Sequence, residues 1–138
     1  MIVIPDASVI LKWVLPQNIS PFQEQALAIR DAALADQISL IVPPLWRYEV
    51  GNTLTRLVPE NALQLMILCE SVGLDEVKAD DKWLGVAVDL VRQSKISFYD
   101  AAYHALAVVK SAVFVTADEK YVRKSKYSSH VRLLKDWS

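Results

Sequence analysis

Ile2-Val3-Ile4-Pro5-Asp6-Ala7-Ser8-Val9-Ile10-Leu11-Lys12-Trp13-Val14 is the stretch that decides the fold. Ile2 to Pro5 is short and apolar, as a buried strand is, and Ile10, Trp13 and Val14 then share one side of a helix. A strand therefore runs straight into a helix at Asp6. The alternation recurs along the chain. Phe22, Ala26, Ile29 and Ala33 predict a second helix, Leu40 to Val42 a buried strand ended by Pro43-Pro44, and Val50, Leu54 and Leu57 the helix after it. A helix over about Pro59 to Val72, a weak strand over Leu74 to Val77 and a helix marked by Leu84, Ala87, Val88 and Val91 follow. Tyr99 to Lys110 is helical with Ala102, Ala105, Leu106 and Val109 inward, and Ala112 to Val115 and Val131 to Leu134 supply the last strands. Strands joined by helices over short connections imply a mainly parallel sheet covered on both faces, so the fold class is α/β.

The 138 residues suit a single domain, 1–138, large enough for a core without disulfides. The chain has no internal repeat or long linker, and Pro16 to Pro21, Pro43-Pro44 and Pro59 mark element boundaries. Its 53% hydrophobic content points away from disorder. The lone Cys69, beside Leu65, Met66, Ile67 and Leu68, reads as a buried small hydrophobe in a reducing compartment. The N-terminus lacks the basic lead of a signal peptide and no apolar run approaches the ~20 residues of a membrane span, so a cytoplasmic protein is expected. A net charge of -1 argues against a domain that grips nucleic acid by a broad basic surface alone. Phosphate chemistry here would use a cation. Lys120, Arg123, Lys124, Lys126, His130, Arg132 and Lys135 form a local basic stretch that suits either a solvated face or phosphate contacts.

Four acids stand out by position. Sites in open parallel sheets form beyond the carboxyl ends of strands. Asp6 follows the first strand directly, and Asp118 follows Ala112 to Val115 after Thr116 and Ala117. Glu49 lies in the first turns of the helix after Leu40 to Val42, and Asp100 begins its own helix. Glu49 shares a face with Asn52 and Thr53, and Asp100 with Tyr103, His104 and Ala107, both offset from the apolar stripes. Taken singly, each acid also suits helix capping or the helix dipole. Together they gather at strand ends, whereas Asp75, Glu76, Asp80 and Asp81 fall in an exposed polar run. Four close carboxylates stay ionised only with a cation. An all-oxygen set selects Mg²⁺ or Mn²⁺, while His104 and His130 are too few and isolated for zinc. Such an ion suits phosphodiester hydrolysis, with Ser8 and Thr116 as either supporting hydroxyls or caps.

These residues resemble the PIN-domain nucleases, most closely the toxin-type members known as VapC. Asp6-Ala7-Ser8 after an apolar strand is similar to the family's opening Asp-x-Ser/Asn, and Val42-Pro43-Pro44 leading to Glu49 and Asn52 to its second block. Ser97-Phe98-Tyr99-Asp100-Ala101-Ala102-Tyr103-His104-Ala105-Leu106-Ala107 is the most specific block, and Thr116-Ala117-Asp118 resembles the closing Thr-x-Asp. Pro5 before Asp6 departs modestly from the pattern. The resemblance runs from Ile2 to about Leu134. It implies a three-layer α/β/α sandwich and Mg²⁺- or Mn²⁺-dependent endoribonuclease action on RNA. It also implies a type II toxin that dimerises as a homodimer and is held inactive by a cognate antitoxin. Asp6, Glu49, Asp100 and Asp118 carry over as the metal-binding and catalytic quartet, with Ser8, Asn52 and Thr116 in support.

Other classes fit less well. An aspartate-nucleophile phosphatase wants a second Asp where this chain has Ser8, and a phosphate-receiving signalling domain wants an acidic pair and a strand-end lysine. A non-enzymatic metal- or RNA-binding module of the same fold, or a housekeeping RNA-processing nuclease, stays open on sequence grounds. Trp13, Trp46, Trp83 and Trp137 suit core or dimer interface better than base stacking.

Overall fold

A computed structural model describes residues 1–16, 21–125 and 128–138 of the chain. Its centre is an all-parallel sheet of β1 (Ile2–Pro5), β2 (Ser39–Val42), β3 (Leu74–Glu76), β4 (Val113–Thr116) and β5 (Val131–Leu133). The spatial order is β3-β2-β1-β4-β5. The helices are α1 (Ala7–Leu11), α2 (Gln23–Leu34), α3 (Leu45–Leu57), α4 (Ala62–Ser71), α5 (Asp81–Ser94), α6 (Phe98–Lys110) and α7 (Glu119–Lys124). The expected α/β fold is borne out, and the weak strand at Leu74 exists, paired with β2 through Leu40, Ile41 and Val42.

The chain steps outward from β1 to β2 to β3, then crosses back over β1 to β4 and on to β5. Right-handed crossovers therefore place α1–α4 on one face and α5–α7 on the other. The packing agrees: α1 lies on α3 and α3 on α4, while α5 runs along α6. Val3, Ile4, Leu40, Val42, Phe114 and Val115 of the central strands are buried between the layers. Pro5 costs the sheet little. It is the last residue of β1, and the next amide, Asp6 N–H, donates to the Val115 carbonyl at 3.2 Å.

Several inward faces differ from the periodicity reading. In α5 the buried residues are Trp83, Ala87, Leu90 and Ser94, while Leu84 and Val88 are 41% and 45% exposed. The true stripe follows i, i+4, i+7 and i+11, and the apolar flank beside it faces outward. Leu57 and Phe22 are likewise exposed. In α6 every residue from Ala101 to Ala107 is buried, Tyr103 and His104 included, because the helix is wedged between α5 and the sheet. The first helix is only Ala7–Leu11, and Trp13 lies beyond it, buried, its indole N–H donating to the Ala26 carbonyl at 2.8 Å. Trp46 and Trp83 are also buried, with indole donors satisfied by Glu76 and the Ala102 carbonyl, so these three rings are unavailable for base stacking. Trp137 lies under the Arg132 guanidinium. No described helix is long and apolar enough to cross a membrane.

Candidate active site

β1 and β4 are neighbours whose connections leave toward opposite faces, which opens a crevice beyond their carboxyl ends. Asp6 and Asp118 stand at its two sides. Asp6 is in extended backbone as the N-cap of α1, its carboxylate accepting from Val9 N–H at 3.2 Å and from the Ser8 hydroxyl. Ser8 Oγ also accepts from Ala117 N–H at 3.2 Å, so one hydroxyl ties the first strand end to the β4–α7 turn. Thr116, 1% exposed, hydrogen-bonds Asp6 through its side chain and accepts from Asp118 N–H at 3.1 Å. Asp118 is exposed and caps α7, accepting from Tyr121 N–H at 3.1 Å.

The other two acids arrive on helices from the two faces. Glu49 projects from α3 and accepts from the Tyr103 hydroxyl of α6 at 2.6 Å. Asp100 sits in the first turn of α6, but it does not cap the helix. Ser97 is the N-cap, its hydroxyl accepting from Asp100 N–H at 3.1 Å. Asp6, Ser8, Glu49, Asp100 and Asp118, with Ala7 and Tyr103, line one cavity of about 190 Å³.

Charge is under-compensated there. Burial pushes Asp6 up to about 6, against the lowering effect of Ser8, Thr116 and Val9, and the Asp100 charge adds to the rise. Glu49 and Asp100 are raised too, first by burial, with the Asp100 charge acting on Glu49 and the Asp118 charge on Asp100. The donor set, four carboxylates with no thiolate or imidazole, fits a hard divalent cation. It is not drawn together as a finished ligand set: among the described residues no three Asp, Glu, His or Cys side chains form a metal-holding group. Each carboxylate is instead engaged by its own donor, namely Ser8, Tyr103, Ser97 and the Tyr121 amide.

Asn52 is not brought to the cavity. It is exposed, one turn past Glu49 on a helix that runs away from the strand ends, about 4.5 Å further along the axis. Tyr103 is the residue that sequence reasoning left without a role. Its signal was present, since it lies three residues after Asp100, but only the fold discloses Glu49 opposite it. The basic stretch is partly absorbed by structure. Arg123 and Lys135 face Glu119 at 3.9 and 3.0 Å, and the His130 ring donates to the Ala112 carbonyl at 3.2 Å. Lys120 and Lys124 remain exposed on α7, and Lys126 lies outside the described residues. Cys69 is fully buried, with its thiol pushed up to about 12, which suits packing rather than nucleophilic chemistry.

The solved structures that this chain resembles share its fold across nearly the whole length. VapBC2 from Rickettsia felis, bound to a promoter DNA fragment, aligns with a TM-score of 0.71 at 14% identity, over 96% of this chain and 98% of the other. PAE2754 from Pyrobaculum aerophilum gives 0.64 at 20% identity over 96% and 89%, and FitAcB from Neisseria gonorrhoeae 0.61 at 18% over 96% and 96%. No curated protein sequence matches the chain. The PIN domain family matches residues 3–127 and so takes in all four acids. By that match, together with the parallel sheet and the strand-end crevice, the chain belongs to the PIN domain family.

Proposed function

We propose that this protein is a divalent-metal-dependent endoribonuclease and the toxin of a type II toxin–antitoxin pair, with Asp6, Glu49, Asp100 and Asp118 as its metal-binding and catalytic residues. The observation that carries the reading is that four acids from four separate segments line one cavity at the switch point of the sheet. When bound, Mg²⁺ or Mn²⁺ supplies charge stabilisation on the phosphodiester and an activated water. Asp6 and Asp118 would hold such a cation from the strand ends, and Glu49 and Asp100 from the two helical faces. Ser8 and Thr116 orient Asp6 and keep the β1 and β4 ends in register. Lys120 and Lys124, exposed just beyond Asp118, suit the backbone of an incoming RNA.

Partners follow from the same reading. Structures that the chain resembles are named VapBC2 and FitAcB, which supports a cognate antitoxin as partner. Leu84, Phe98 and Tyr99 are exposed around a mostly apolar cavity of about 380 Å³ beside Asp100, a surface suited to a homodimer.

The test is cleavage of a labelled RNA pool by the pure protein with Mg²⁺ or Mn²⁺ and with EDTA, alongside Asp6→Asn prepared identically. Cleavage that needs the metal and falls about 100-fold or more in the variant is expected, since several kcal/mol of charge stabilisation is removed. Equal cleavage by both proteins would mean a contaminating nuclease. Retained RNA binding with no cleavage by the wild type would leave the non-enzymatic module.

A further inference from the structure

We propose that Tyr103 is a positioning residue of the acid site, its hydroxyl holding the Glu49 carboxylate in the shared cavity and so joining the two helical faces into one ligand set. The inference rests on the metal-dependent reading above. Tyr103 is 2% exposed, and its ring stacks on Phe114 of β4 at 5.9 Å between centroids and 14° between planes. The hydroxyl is therefore placed by the core, not by its own torsional freedom. It donates to Glu49 Oε1 at 2.6 Å and lines the cavity with the acids.

Glu49 needs such a partner more than the three aspartates do. It has the longest side chain of the four and is borne on a helix that follows β2, a strand away from the β1–β4 crevice. Asp6 and Asp118 are each fixed by the first turn of the following helix, and Asp100 by Ser97 at its own helix start. Glu49 has no comparable local donor on α3; the bond that holds it comes from across the sheet. The hydroxyl takes one lone pair of the carboxylate and fixes its orientation, with the other acceptor sites left open. A buried tyrosine hydroxyl also needs an acceptor for its own sake. The two roles differ in outcome, because only positioning couples the hydroxyl to metal binding.

The experiment titrates the full-length protein with Mn²⁺ by calorimetry and by thermal shift, comparing wild type, Tyr103→Phe, Glu49→Asp and Glu49→Gln, with kcat and KM measured on RNA. Tyr103→Phe keeps the stacked ring and removes only the hydroxyl. It is expected to raise half-saturating Mn²⁺ about tenfold and to lower kcat more than it raises KM, with little change in the metal-free Tm. Glu49→Asp, which leaves the core untouched and withdraws the carboxylate from the hydroxyl, is expected to weaken Mn²⁺ binding similarly. Wild-type titrations from Tyr103→Phe or from Glu49→Asp, with Glu49→Gln impaired, would overturn the inference and leave the metal reading standing. Absence of any Mn²⁺ response in the wild type would sink the metal reading and this inference with it.

Discussion

Asp6 and Asp118 end the strand-derived half of the acid site, and each accepts from the first turn of the short helix that follows, Asp6 from Val9 and Asp118 from Tyr121. Glu49 and Asp100 form the helix-derived half and cap nothing: Ser97 starts α6, and Glu49 sits well inside α3. Strand-end acids thus serve the fold as helix caps while lining the shared cavity. The helix-borne acids are held instead by side-chain hydroxyls, Tyr103 on Glu49 and Ser97 on Asp100. The difference teaches that capping and chemistry are not rival explanations at Asp6 and Asp118, whereas at Glu49 and Asp100 the capping explanation is removed.

The sharpest way to break the comparison is to add metal. Mn²⁺ at about 100 times its Kd should stabilise the folded state by about 2.7 kcal/mol, read as a rise in Tm, and Asp100→Asn should blunt that rise. An unchanged rise in the variant would place Asp100 outside the ligand set and leave the helix-derived half without a purpose.

A somewhat smaller effect is expected from pH in the metal-free protein. The folded-state values of Asp6, Glu49 and Asp100 are raised, so the folded protein takes up protons more readily than the unfolded chain. The stability they contribute is fully present below the unfolded carboxylate range and is lost as pH rises through the folded values, about 6 for Asp6. Lowering pH from 7 toward 5 should therefore stabilise the acid site by on the order of 1–2 kcal/mol, and Asp6→Asn, which retains a capping oxygen, should flatten that dependence. Denaturant melts across the range would read it, set against other groups by the difference between wild type and variant.

Smallest is the local cost of the caps. Asp118→Ala should destabilise the metal-free protein by about 1 kcal/mol through loss of the bond from Tyr121 N–H, while Asp100→Asn should leave it unchanged or slightly more stable by relieving repulsion. Equal destabilisation by the two would erase the distinction between the halves.

Much of this was legible in advance because it is local. Apolar runs of strand length, each broken by a helix-period stripe, sufficed for a parallel α/β chain, and an acid just past a buried strand must lie at the sheet's carboxyl edge. Local reading failed where burial depends on neighbours. Leu84 and Val88 are as apolar as Leu90, but only the packing of α5 along α6 selects Trp83, Ala87 and Leu90 as the inward side. Tyr103 and His104 looked like the polar flank of α6, yet the helix is enclosed on all sides over that turn. Asn52 shared a helical face with Glu49, but α3 carries it away from the strand ends.

The sequence by itself determined the alternation of elements and the acids at the ends of β1 and β4, because backbone periodicity spans only a few residues. Only the tertiary structure decided that β1 and β4 are neighbours, that Ser8 reaches Ala117, and that the Tyr103 hydroxyl meets Glu49 from the other face of the sheet. Those contacts join residues 54 and 109 positions apart, and their geometry is set by strand order and core packing rather than by any local preference.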